Sequence, residues 1–255
     1  MIPVESIVRY LIKFGSEKNM KSLLDGKVFM HNLQYYINLE KEKGDQITGD
    51  EYEGKLPVVN VTLSIRNPDT HEEITQISCG KASFDFGMSK YPVYCTLMFD
   101  HRNMLNDEEP QVPKEDDDPY TILRYGFTED QKKEMATFGD SAVFIKNVDE
   151  FIHRVRKAAE AKGIQVGYGP VSYYHDNELK HHKQVMEQHG AAPLWKRDRY
   201  KNQQEYRIYL DTEIDDSMIL EIGDIRDIAE LLPTTVLLDS ELCVKAILEP
   251  LHDNP

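Results

Sequence analysis

Apolar and polar positions divide the chain into short elements from its first residues. IVRYLIKFG (residues 7–15) is dense in β-branched and aromatic side chains and reads as a strand, which Gly15 and Ser16 break. Met20, Leu23 and Leu24 then recur at helical spacing, with Ser16 placed to cap the helix and Asp25-Gly26 to stop it. KVFMH predicts a second strand, and NLQYYINLEKEKG a short helix leading into an acidic loop, DQITGDEYEG, punctuated by Gly44, Gly49 and Gly54. From Pro57 to Phe99 helix formers are scarce. LPVVNVTLSI and EEITQIS flank the turn NPDTH, and ASFDF and YPVYCTLMF continue an antiparallel stretch.

The second half returns to mixed patterning. TEDQKKEMATFG reads as a helix, DSAVFI as a buried strand, and NVDEFIHRVRKAAEAKG as a longer helix with an apolar stripe of Phe151, Ile152, Val155 and Ala159. IQVGYGPVSYYH predicts a strand with a glycine-containing irregularity, where Gly167 and Gly169 accommodate a bulge. DNELKHHKQVMEQHG is a polar helix or loop, EYRIYL an alternating half-buried strand, followed by MILEIGD and a C-terminal helix near DIRDIAELL. The fold class is therefore α+β, a single domain over 1–255 built on antiparallel sheets with flanking helices.

Composition refines this picture. The segment around 100–120 is acidic and contains prolines, the make-up of a solvated surface insertion. Thirty Lys and Arg against 45 Asp and Glu give a net charge of -15, which repels phosphate backbones and acidic membranes at long range. Cations gather in one stretch, from Lys180 to Arg207. Cys79, Cys95 and Cys243 are far apart and lack metal-knot or redox spacing, which fits a reducing cytoplasmic setting. No run is long and apolar enough to span a bilayer, so no membrane association is expected. The histidines His175, His181, His182 and His189 have no ligand spacing, so no metal is expected, and no serine sits in a nucleophile elbow. The acidic turn at Asp50, Glu51 and Glu53 reads equally as a site for a cation or basic partner and as an exposed turn.

In NQQEYRIYL, Glu205, Arg207 and Tyr209 share one strand face, while Tyr206, Ile208 and Leu210 share the other. Ile208 and Leu210 mark the core side, so Glu205 and Arg207 are expected to face a groove or water.

Two stretches resemble the ADP-ribosyltransferase superfamily. LIKFGSEKNMKSLLDGKVFMHNLQYY is similar to its first strand, helix and second strand, and WKRDRYKNQQEYRI to its closing Q-x-E motif, matched by Gln203 and Glu205. FGDSAVFI and Y-x-x-Q-x-E-Y-R also resemble bacterial toxin and phage-defence proteins. The resemblance spans both ends of the chain, with little between residues 55 and 135. It implies a transferase-like fold of split antiparallel sheets and a mono-ADP-ribosyltransferase that takes NAD as substrate, modifies RNA or protein, and works beside an antitoxin or chaperone. Glu205 and Gln203 would be catalytic, with Glu205 stabilising the oxocarbenium-like transition state. Lys13, Phe14, Gly15, Ser16, Tyr35, Tyr36 and Arg207 would hold NAD. Where many members carry His or Arg on the first strand, this chain has Lys13 and Phe14. That departure motivates the rival, a non-catalytic protein-interaction module that keeps the transferase-like shape.

Overall fold

The computed structural model describes residues 9–105, 120–175, 179–187 and 189–247. In chain order the elements are β1 (Tyr10–Gly15), α1 (Glu17–Leu24), β2 (Lys27–Asn32), α2 (Leu33–Lys43), β3 (Lys55–Arg66), β4 (Glu73–Asp85), β5 (Pro92–Phe99), β6 (Tyr120–Tyr125), α3 (Glu129–Met135), β7 (Ser141–Ile145) and α4 (Val148–Glu160). There follow β8 (Val166–Pro170), β9 (Ser172–Tyr174), α5 (Leu179–Glu187), β10 (Trp195–Arg197), β11 (Glu205–Leu210), β12 (Ser217–Glu221), β13 (Ala229–Pro233), α6 (Thr234–Leu238) and β14 (Leu242–Ile247). The protein is mixed α+β with mostly antiparallel pairing. No described helix is long and apolar enough to cross a membrane.

The chain divides into two compact units, each assembled from distant segments, with one cut inside β5 between Cys95 and Thr96. One unit comprises residues 1–26, 96–154 and 223–255. In it β1 pairs antiparallel with the end of β5 (Ile12↔Leu97) and with β7 (Lys13↔Val143), and β13 adds outside β7 (Leu231↔Val143). Its core gathers Ile12, Phe14, Leu97, Phe99, Phe127, Met135, Ala142 and Leu237. Helix α1 starts where predicted, with the Ser16 hydroxyl accepting from the Asn19 amide.

The other unit comprises residues 27–95 and 155–222. β12 pairs with β2 (Phe29↔Ile219), β2 with the start of β5 (His31↔Val93), and β11 with β8 (Ile208↔Tyr168). The Asn32 side chain caps α2 through the Tyr35 amide (3.0 Å) and donates to the Ile214 and Asp215 carbonyls. Gly44, left-handed at φ 68°, closes that helix. Among the described residues β3 and β4 pair only with each other, as a long two-stranded ribbon.

Three expectations change, and one pairing was not foreseen. DIRDIAELL is not a helix: Ala229–Pro233 forms β13, because the outer edge of β7 offers a ladder that outweighs local spacing, and only Thr234–Leu238 is helical. EITQIS and ASFDF are one continuous strand, β4. The glycine of β8 accommodates no bulge. Gly167 lies opposite Tyr209 in an unbroken register, and a Cβ there would meet the Tyr209 ring at 2.1 Å. Finally, β6 and β14 pair with each other and were not foreseen. The acidic insertion lies mostly outside the described residues; its first residue, Asp100, is buried and binds Arg102 through both oxygens.

Candidate functional site

The loop after α2 folds inward. Asp45 accepts from the Ile47 and Thr48 amides at 2.9 Å each, and Gly49 packs so closely on the end of α2 that a Cβ would meet the Glu40 nitrogen at 2.5 Å. This turn carries Asp50 and Glu53 into the interior, at 1% and 2% exposure. The acidic turn is therefore buried, which removes the exposed-turn alternative.

The cationic stretch reaches the same place. Lys196 and Arg197 lie on β10, which runs parallel to β9 (Lys196↔Tyr173). A 3-10 turn, Asp198–Gln203, then leads to Glu205 and Arg207 on β11. Glu205 and Arg207 do share a strand face, but that face is closed; Arg207 is 2% exposed and Glu205 7%.

These residues form one ion lattice. Arg207 clamps Glu53 with two bonds (2.8 and 2.7 Å), donates through Nε to Glu205 Oε2 at 2.6 Å, and gives a further bond to the Pro193 carbonyl. Lys196 Nζ binds Glu205 Oε1, donates to Gln203 Oε1 at 2.8 Å, and lies 3.8 Å from Glu53. The Gln203 amide nitrogen donates to the Ile47 carbonyl at 2.7 Å. Arg197 binds Asp50 and Glu40, and Arg199 binds Glu40 at 2.6 Å. Tyr200 lies under Lys196 (4.3 Å to the ring centre) and donates its hydroxyl to the Gly49 carbonyl. Lys196, Arg197, Arg199 and Arg207 thus face Glu40, Asp50, Glu53 and Glu205, four charges against four.

Burial alone would push the Glu205 carboxyl up, but Arg207 and Lys196 outweigh it and hold the group down at about 2. Glu53 shares both cations, yet its burial prevails and pushes its carboxyl up. Arg207 is driven well above its ordinary range: its burial works against the charge, but Glu205 and Glu53 outweigh it. Glu205 is therefore the firmly ionised member. Its backbone amide donates to the Tyr173 hydroxyl at 2.8 Å, which fixes the start of β11.

Gln204 stands between the two Q-x-E residues in the left-handed region, φ 40° and ψ 49°. Non-glycine residues rarely sit there. Its side-chain oxygen is shut off from solvent and has no hydrogen-bond partner among the described residues, although the residue as a whole is half-buried.

The remaining predicted residues have fold roles within their own units. Phe14 is part of the core cluster, and Ser16 caps α1. The Glu17 amide at the head of α1 donates to the Asp140 carboxylate at 3.1 Å. Gly15 backs onto Gly139, where a Cβ would meet the Gly15 carbonyl carbon at 2.2 Å. Lys13 lies on β1, in register with Val143. Tyr35 stacks on His31 at 3.6 Å, and Tyr36 packs edge-on against Tyr35 and among Leu33, Met88 and Val93. Among the described residues no group of three or more His, Cys, Asp or Glu side chains converges to hold a metal ion.

Sequence reasoning named Glu205, Gln203 and Arg207 but missed their partners Lys196, Glu53 and Tyr173. A signal for the first two existed: a cationic stretch and an acidic loop of matching charge, each too polar to be a simple surface. No protein-family model, curated protein or solved structure matches the chain.

Proposed function

We propose that this protein is an NAD-dependent mono-ADP-ribosyltransferase of the toxin or defence type, acting on RNA or protein, with Glu205 as the catalytic carboxylate. One observation carries the reading: Glu205 is a buried carboxylate, fixed at the start of β11 with one oxygen on Lys196 and the other on Arg207. Buried ion pairs cost about as much in desolvation as they return, so stability alone is a weak reason to keep eight charges here. A carboxylate shifted by burial together with specific charge partners is a candidate for a functional site.

The chemistry follows from the carboxylate. In transfer, the bond between nicotinamide and the ribose carbon breaks with its electron pair on nicotinamide, the acceptor's lone pair forms the new bond, and the acceptor's proton leaves to water. Glu205 stabilises the cationic sugar carbon between those events. Held at about 2, it is a poor proton acceptor, so its role is electrostatic. Lys196 must first leave Glu205 Oε1. It keeps Gln203, Glu53 and the Tyr200 ring when it does, while Arg207 continues to hold Oε2. Of the β1 residues that the resemblance assigns to NAD, Phe14 and Ser16 are committed to core and cap, and the Asp140 carboxylate holds the amide a phosphate would seek; Lys13 is the charged side chain of that motif.

A second reading has its own observation. Both Glu205 oxygens are paired and the lattice is neutral, so in a non-catalytic interaction module the same residues would serve only to pin the 45–54 loop to β11.

The deciding experiment follows label from NAD into bacterial lysate proteins and, separately, into total RNA, for wild type and Glu205→Gln, with circular dichroism confirming that the variant is folded. Labelling by wild type that vanishes in a folded Glu205→Gln protein is the expected result. No labelling of either fraction by wild type, or equal labelling by the variant, would remove the transferase and leave the module.

A further inference from the structure

Gln203, the residue a Q-x-E pattern offers to the acceptor, is not available for that work. It is 4% exposed, its oxygen accepts from Lys196 and its nitrogen donates to the Ile47 carbonyl. The next residue is in the opposite condition. Gln204 holds a left-handed backbone that favours glycine, has no partner for its side-chain oxygen among the described residues, and is only half-buried. The left-handed backbone and the unpaired buried oxygen each cost stability, and the chain retains both next to Glu205.

We infer that Gln204, and not Gln203, reads the acceptor: its side-chain oxygen accepts a hydrogen bond from an N–H or O–H donor on the group that receives the ADP-ribose. The oxygen is turned inward in the free protein; swinging the side chain outward presents it to the acceptor and gives it the donor it lacks. The backbone strain at 204 sets the direction of the side chain while Glu205, one residue on, stays fixed by Tyr173 and Arg207. This inference rests on the transferase reading, and names the residue through which that activity selects its acceptor. The acceptor class is one that presents a donor hydrogen next to its nucleophile, such as an amide, a guanidinium or a base amino group.

The test separates the two halves of the reaction. Nicotinamide release from NAD into water needs no acceptor, whereas label transfer to lysate protein or total RNA does. Gln204→Gly is matched to the left-handed backbone and removes the oxygen. It is expected to raise Tm by about 2–4 °C, to leave nicotinamide release within about twofold of wild type, and to cut acceptor labelling at least about tenfold. Gln204→Asn, which tolerates the same backbone and keeps an amide, is expected to recover part of the labelling. Unchanged labelling by Gln204→Gly, or equal loss of nicotinamide release and labelling, would overturn the inference while leaving the transferase intact. A wild type that neither releases nicotinamide nor labels any acceptor would overturn both.

Discussion

Two regions of the same unit treat polarity in opposite ways. The ion lattice around Glu205 places charged side chains where apolar ones usually go, with Glu53, Lys196 and Arg207 all at 3% exposure or less. The β3–β4 ribbon does the reverse. Its register puts Val59, Val61, Leu63, Ile65, Ile77 and Cys79 on one face, and Val59, Leu63, Ile65 and Ile77 are each more than half exposed. On the opposite face Thr62 and Ser78 are hydrogen-bonded across the strands, with Val58 paired to Ala82 and Leu56 to Phe84 further along. Burial energy therefore explains neither region. In the lattice, complementarity of charge decides the structure; in the ribbon, cross-strand pairing and the Asn67 turn, whose side chain accepts from the Asp69 and Thr70 amides, hold the shape.

The contrast predicts very unequal responses to mutation. Arg207→Ala leaves Glu53 and Glu205 buried without their shared cation and is expected to cost about 3–5 kcal/mol, read by urea denaturation. A cost below about 1 kcal/mol would mean that the lattice is not charge-coupled. Replacing a charged pair together, Lys196→Met with Glu205→Met, is expected to cost less than either single change, because neither partner is left alone.

Acid should act next. Glu205, lowered from 4.5 to about 2, contributes stability that is complete above pH 4.5 and fades as pH falls toward 2. Glu53 is shifted upward and contributes with the opposite sign, so the Glu205 part is the difference between wild type and Glu205→Gln across that window. A difference that stays constant from pH 5 to pH 3 would contradict the assignment of the ionised carboxylate. The smallest effect belongs to the ribbon: Leu63→Thr, on its open face, is expected to change stability by no more than about 0.5 kcal/mol. A larger loss would show that this face is covered in the folded protein.

Much of the element pattern was legible because it depends on local chemistry. The Ser16 cap, the NPDTH turn and the stripe of α4 all appear where spacing placed them. Misreadings arose where a distant partner decided the outcome. DIRDIAELL has helical spacing, but the edge of β7 draws Ala229–Pro233 into a ladder, and Gly167 is set by a tyrosine on another strand. The site was legible in part for the same reason. Alternation placed Glu205 and Arg207 on one face correctly, but their exposure depended on Asp50 and Glu53, about 150 positions away, folding inward.

The central claim is that NAD uses Glu205 by displacing Lys196, and the Lys196 Nζ resonance in lysine-labelled protein reports on that contact directly. On titration with NAD the account predicts a shift of this one resonance that saturates and is absent in Glu205→Gln. A Lys196 signal that stays in place while NAD labels an acceptor, or that is untouched at millimolar NAD, would contradict it.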